Sequence, residues 1–313
     1  MRSEPSFAFV LGTGRCGSTL VHEVLARHPD VAFVSNVEDR LPFLPAALGR
    51  WNGDLYRRVP AAFTRKGRLR YAPSEGYRVL AARVSPALVA PDRDLVAGDA
   101  TPWLAERTRR FFTARAAAQG KPVLLHKFTG WPRAGFLDRA FPDARFVHIV
   151  RDGRAVANSF LQMPWWRGFE GPERWGWGPL PSLYREEWED SGRSFAVLAG
   201  IQWKMLLDAY DAARADLPDD RWLEVRYEDV VAAPRERVGE MLTFLGLGWD
   251  PAFERAFSGH RFSAGRTEAY RDDLGIHEVA MLDRVLRPHL IRHGYVTDKG
   301  STGRDTEAGT ARG

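Results

Sequence analysis

The chain has 313 residues, 44% hydrophobic and 27% charged, with 45 Lys+Arg against 40 Asp+Glu for a net charge of +5. This is ordinary globular composition: it excludes a fibrous or largely disordered polypeptide and leaves ample apolar material for a buried core. The cations are lopsided, with 40 Arg and only five Lys. Arg chelates phosphate and carboxylate through a flat fork of donors, so an anionic ligand is an early expectation. Codon usage in a GC-rich genome produces the same bias, so each Arg has to be argued by position. The single cysteine, Cys16, excludes an intramolecular disulfide framework and any multi-cysteine metal site, and fits a reducing compartment. The N-terminal apolar run is too short for a signal-peptide core, and no stretch reaches the roughly 18–20 apolar residues of a membrane span. The expectation is a soluble, cytoplasmic protein.

In chain order, Phe7 to Leu11 is a continuous apolar run, as in a strand buried on both faces of a parallel sheet. A Gly-rich turn over 12–17 follows, then a helical pattern from Ser18 to Arg27 and a short strand from Val31 to Val34. Residues 40–80 mix Pro, Gly, Arg and aromatics, and support only helical pieces near 41–50 and 76–84. Pro102 to Ala118 reads as a helix with Pro in its first turn. Strands are expected at 122–126 and 145–150, with helices at 132–140 and 152–161. This alternation is the βαβ signature of a parallel sheet flanked by helices. Residues 164–181 read as an ordered Gly/Pro-rich loop. Beyond it come helix over 182–214, a strand at 221–225 and helices at 234–245 and 278–293. Residues 1–296 read as one domain. Residues 297–313 are almost free of apolar side chains and read as a disordered tail.

The motif Gly12-Thr13-Gly14-Arg15-Cys16-Gly17-Ser18-Thr19 follows a strand and opens a helix. In that context, loop amides and the helix N-terminus converge on an oxyanion. The G-x-x-x-x-G spacing is that of a P-loop, but Ser18 stands where nucleotide triphosphatases carry Lys. Without that lysine, stabilisation of a transferring γ-phosphoryl is poorly supported. The strand at 145–150 ends in Arg151-Asp152, with the cation first, so no acidic metal-holding strand end is evident. The site reads as built for an anion held by Arg and amides, with no obligatory metal.

Three segments then resemble the sulfotransferases that use 3′-phosphoadenosine 5′-phosphosulfate (PAPS). GTGRCGSTL followed by HPDV is similar to their 5′-phosphosulfate loop. FVHIVRDGRAVANSF at 146–160 is similar to their 3′-phosphate motif. EVRYEDVVAAPRERVGEMLTFLGL at 224–247 is similar to their RYEDLV…P…FLG segment. The wording is nearer the bacterial and tyrosylprotein branch than the cytosolic one. The resemblance implies an α/β fold with a P-loop-type parallel sheet flanked by helices, PAPS as sulfate donor, and a small-molecule or glycan acceptor. It implies donor binding by Gly14, Arg15, Cys16, Gly17, Ser18 and Thr19 in the loop, and by Arg151 and Ser159, with Tyr227 near the nucleotide and Arg266 as a late return to the 3′-phosphate. Arg154 remains open between ligand and carboxylate pairing. Lys127 matches the lysine that the family places beside the transferring group.

For the general base, cytosolic members carry His two residues after this lysine, where this chain has Thr129. The tyrosylprotein-type branch uses Glu in the loop after the second strand, which points to Glu38, although Asn36 occupies the aligned position. His126 and Asp39 are the alternatives. Six of the eleven tryptophans lie between 165 and 203. Trp188 and Trp203 are expected in the core, and Trp165, Trp166, Trp175 and Trp177 divide between core and acceptor pocket. The other functional readings are a P-loop kinase-like enzyme and a non-catalytic nucleotide-binding protein. No basic-plus-aromatic RNA motif is present, so nucleic acid is not expected as a partner. TRKGRLRY at 64–71 reads as a solvated flap or a cover over the nucleotide.

Overall fold

The computed structural model describes residues 4–58, 71–263 and 266–297. The tail read at 297–313 and the flap read at 64–71 therefore lie, but for Thr297 and Tyr71, outside the described residues. Five strands form one parallel sheet: β1 (Ser6–Leu11), β2 (Val31–Ala32), β3 (Val123–Lys127), β4 (Arg145–Val150) and β5 (Trp222–Arg226). Their order is β2-β3-β1-β4-β5, so β1 lies between β3 and β4.

Strand alternation divides the core into two layers. Phe9 and Leu11 point to one face, where Phe112, Phe128, Phe146, Phe160 and Trp203 pack. Ala8 and Val10 point to the other, against Val21, Val24, Val147, Val225 and Met241. The first layer is covered by helices Pro102–Gln119, Gly153–Leu161, Phe195–Ala215 and Ile276–Arg292, the second by Ser18–Leu25 and Pro234–Phe244. With both faces covered, the inner strands are apolar between their ends but for the buried His126 and His148, and β1 reads as a continuous apolar run.

Several boundaries differ from the sequence reading. The second strand stops at Ala32 because the backbone of Phe33 is taken by side chains: its N–H donates to Gln119, and its carbonyl accepts from Gln119 and Asn52. The helix expected near 41–50 is a 3-10 turn, Ala46–Trp51, running into helix Asn52–Arg58. The helix expected over 182–214 is two, Ser182–Asp190 and Phe195–Ala215. Arg193 in the left-handed region breaks it, and Ser194 caps the second helix through Val197 N–H. Helix Pro251–Ser258 was not expected, although Asp250-Pro251 is a cap followed by a first-turn proline. Among the described residues, no helix is long and apolar enough to cross a membrane.

The order of the strands places the chemistry. The loop after β1 emerges between the ends of β3 and β4. Lys127 ends β3, Arg151 follows β4 and Tyr227 follows β5. In open parallel sheets, ligands bind at these carboxyl ends.

Candidate active site

In the loop after β1, Gly14, Arg15 and Gly17 have φ of 84°, 55° and 91°. Interspersed left-handed residues turn successive N–H groups toward one point, the geometry of an anion nest. Gly17 is required twice over: its φ disfavours any side chain, and a Cβ there would overlap the Tyr227 ring. Gly12 is required for a different reason. A Cβ there would overlap the Cys16 thiol, which is fully buried in the second core layer. Cys16 therefore offers an anion only its backbone, and its side chain does not belong to the site surface.

The loop holds its cations close together. Arg15 Nε donates to Ser159 Oγ at 2.9 Å. Arg151 donates to the Arg15 carbonyl at 2.9 Å and to the Arg266 carbonyl at 2.8 Å. Its guanidinium lies 4.9 Å from the centre of the Tyr227 ring. Burial, then the neighbouring Arg151 charge, pull the Arg15 pKa below its ordinary value. Neither guanidinium forms an ion pair with a carboxylate among the described residues. Two close cations without a counter-charge among the described residues favour an anion between them. Arg154 is different: Asp152 at 2.6 Å and Asp283 at 2.7 Å neutralise it. Arg266 reaches the cluster through its carbonyl, while its side chain turns to Gln162 and Asp273.

Lys127 is buried, with Nζ 2.7 Å from Thr19 Oγ1 and 2.6 Å from Glu75 Oε1. Glu75 was not singled out from the sequence. It lies in an irregular stretch with no periodicity, and only the folded chain brings it beside β3. Burial raises its pKa, but the Lys127 charge and hydrogen bonds from Lys127, Tyr77 and Thr129 outweigh that, leaving it below the ordinary carboxylate value. Tyr77 and Thr129 also bond each other at 2.9 Å.

The structure places Glu38 away from this centre. It is 5% exposed and closes a capping box on Ser35. It pairs with Arg115 at 3.1 Å and accepts from Asn52 at 2.6 Å. All these contacts hold the segment after β2, and Glu38 does not line the cavity described below. The alternatives fare no better. Asp39 accepts from the N–H groups of Arg78 and Val79. His126 is fully buried between Phe112 and Phe128, with its pKa pushed down to about 3 by burial and by the nearby Lys127 and Arg115 charges.

A cavity of about 630 Å³ opens over the loop, Arg151 and Glu75, and Lys127 reaches it through its contacts with Thr19 and Glu75 rather than lining it. It is lined by the loop (Gly14, Arg15, Gly17, Ser18 and Thr19), by Arg151 and Tyr227, and by Glu75, Tyr77, Thr129 and Arg133. Phe160, Trp165 and Trp177 form an apolar wall. The four loop tryptophans divide: Trp165 and Trp177 face the cavity, while Trp166 and Trp175 are buried and donate to Gln202 and Gly178. Trp188 and Trp203 are buried as expected.

A parallel sheet with an anion-binding loop after its central strand, and cations at the ends of the neighbouring strands, defines a P-loop-type α/β protein. Its family is specific. The model of the sulfotransferase family matches residues 8–251, and the chain belongs to that family. The omega-hydroxy-beta-dihydromenaquinone-9 sulfotransferase Stf3 of Mycobacterium bovis is 26% identical over 185 residues, covering 56% of this chain and 42% of that protein. The Mycobacterium tuberculosis protein of that name matches equally. The match thus spans less than half the length of these curated relatives. Sulfotransferase STF9 from Mycobacterium avium shares the fold, with TM-score 0.58 at 17% identity over 93% of this chain and 77% of that one. STF1 from Mycobacterium tuberculosis superposes with TM-score 0.50 at 17% identity, covering 87% and 77%.

Proposed function

We propose that this chain transfers a sulfuryl group from PAPS to a hydroxyl of a small-molecule or glycan acceptor. The observation that carries the reading is the convergence of Arg15, Arg151 and Lys127, from the ends of three adjacent strands, with the carboxylate of Glu75 against Lys127. A donor with anions at both ends of a nucleoside fits two guanidiniums that lack carboxylate partners and a loop folded as a nest.

In this reading, Arg15, Arg151 and Ser159 hold the 3′-phosphate, and the Tyr227 ring flanks the nucleotide. The amides of residues 14–17 and the hydroxyls of Ser18 and Thr19 hold the 5′ end. Bound PAPS supplies the activated sulfuryl group. Glu75 replaces Glu38 as the proposed base: it accepts the proton of the acceptor hydroxyl as oxygen attacks sulfur. Lys127 donates to the phosphate oxygen whose bond to sulfur breaks, where negative charge accumulates. The Lys127–Glu75 contact keeps the base ionised and the cation oriented until donor and acceptor separate them.

Trp165, Trp177 and Phe160 suit a flat or apolar acceptor, such as a sugar face, a glycolipid or a natural-product alcohol or phenol. The dihydromenaquinone named for the mycobacterial relative falls in the same chemical range. One buried cysteine fits a cytoplasmic setting. Calorimetric titration with the product nucleotide, 3′-phosphoadenosine 5′-phosphate, tests the reading. Saturable micromolar binding is expected, and no heat or thermal stabilisation at millimolar nucleotide overturns it.

A further inference from the structure

A second basic feature lies outside the active site. Arg83, Arg107, Arg110 and Arg115 line a shallow depression of about 250 Å³, together with Leu44 and Phe111 and with no carboxylate in its wall. Arg115 spends its charge on Glu38, and Arg110 pairs with Glu106, which Arg109 shares. Among the described residues, Arg83 and Arg107 pair with no carboxylate: Arg83 donates to the carbonyls of Pro42 and Phe43, and Arg107 donates to the carbonyl of Arg83. The depression therefore carries uncompensated positive charge.

Its surroundings are apolar where a soluble surface is normally polar. Phe43 is 69% exposed beside it, Trp103 is 61% exposed on the helix that carries Arg107 and Arg110, and Leu41, Leu48, Trp51 and Leu55 are exposed along the segment that supplies Leu44 and Ala46. Positions 48, 51 and 55 share the outer face of the Ala46–Trp51 turn and helix Asn52–Arg58, while Gly49, Asn52, Gly53 and Tyr56 face inward. Guanidiniums interleave with the aromatics: Arg50 lies 3.8 Å over Trp51, and Arg107 lies 5.4 Å from the Trp103 ring centre. Between residues 40 and 58 there are four Arg (40, 50, 57 and 58) against Asp54 alone, a surplus of three where the whole chain has five.

Exposed Trp, Phe and Leu among Arg residues, beside an open depression lined by four guanidiniums, match the chemistry of a lipid interface. The aromatics enter the headgroup and acyl boundary while the cations meet anionic headgroups. A second protein copy fits less well, because the acids of this face, Glu106 and Asp54, are already paired with Arg109, Arg110 and Arg57, and the excess that remains is positive. We propose that this face docks the protein on an anionic membrane surface, with a lipid phosphate in the Arg83/Arg107 depression. Helix Tyr77–Arg83 joins this face to the active site: Tyr77 lines the large cavity and Arg83 the depression, six helical rises or about 9 Å apart. The inference stands on its own surface and does not require the proposed transfer reaction.

The test is flotation of the full chain with vesicles of phosphatidylcholine alone or with one quarter phosphatidylglycerol. Binding to the anionic vesicles is expected, with loss in 0.5 M salt as surface charge is screened. The exposed double variant Phe43→Ser/Trp103→Ser, and separately Arg107→Gln, are each expected to weaken it by about tenfold or more. A cooperative thermal melt and a far-UV circular dichroism spectrum matching wild type report that each variant remains folded. No flotation with anionic vesicles, or flotation unaffected by either substitution, overturns the proposal. So does a concentration-dependent dimer abolished by the same double variant, which would assign the face to a second copy. Stabilisation by inorganic phosphate with no vesicle binding would overturn the membrane source as well.

Discussion

Replacing Glu75 by glutamine, beside the same change at Glu38, separates two carboxylates that look alike in sequence. Glu75→Gln keeps the side-chain volume and an oxygen toward Lys127, which now lies 2.6 Å from a charged one. It removes the proton acceptor. Loss of a positioned base costs about 10²–10⁴ in rate, so kcat should fall by that factor. Binding of 3′-phosphoadenosine 5′-phosphate should change little, because Glu75 does not touch the arginine cluster. Glu38→Gln should do the reverse. It strips the charge from a buried pair with Arg115 and weakens a network holding Ser35 and Asn52. Breaking one partner of a buried pair costs about 3–5 kcal/mol. At about 2 °C per kcal/mol for a chain of this size, the melting temperature should drop by roughly 6–10 °C. Activity per folded molecule should hold. The assay is release of 3′-phosphoadenosine 5′-phosphate from PAPS against a panel of phenols, glycosides and prenyl alcohols, with thermal melts in parallel. Full activity in Glu75→Gln, or a selective loss of turnover without destabilisation in Glu38→Gln, refutes the assignment.

Lys127→Ala should lower kcat by about 10²–10³ with nucleotide affinity within a few-fold of wild type. It also has a pH signature. The Glu75 pKa is held below its ordinary value mainly by Lys127 against burial, so the base is lost only as pH falls through that depressed value. Without Lys127, burial dominates, and the acid limb of kcat/KM should move to higher pH; an unmoved limb excludes Glu75 as the titrating base. Arg15→Ala and Arg151→Ala should each weaken nucleotide binding by about 10- to 100-fold, the value of one charge-assisted contact. Calorimetry at two salt concentrations checks this, and a change below twofold argues against the 3′-phosphate role. Gly17→Ala should abolish nucleotide binding and lower the melting temperature, since its φ of 91° and the Tyr227 ring both oppose a side chain. The Cys16 thiol should react with aromatic disulfides only on unfolding, with or without nucleotide, because it is fully buried. Rapid labelling of the native protein would contradict that placement.

What was legible in the sequence was what is contiguous. The loop after β1 announces itself because strand, glycines and helix start follow one another, and each residue's role is local. Lys127 and Arg151 were visible for the same reason, as cations terminating apolar runs that a sheet covered on both faces must bury. The interrupted strand at Phe33 was not legible, because its hydrogen bonds are claimed by Gln119, 86 residues away.

The sequence by itself determined the sheet, its phosphate-type loop and the cations at its carboxyl edge, since periodicity and turn chemistry act over a few residues. The tertiary structure decided which carboxylate faces Lys127. Glu38 sits on a short helix with a matching cap and turns inward to Arg115, while Glu75, in a segment with no periodic signal, is delivered to the end of β3. It likewise divided the loop tryptophans, sending Trp166 to Gln202 in the core and leaving Trp165 and Trp177 on the cavity wall. Such choices depend on which partner each side chain meets across the fold, and a linear pattern does not encode distances between segments tens of residues apart.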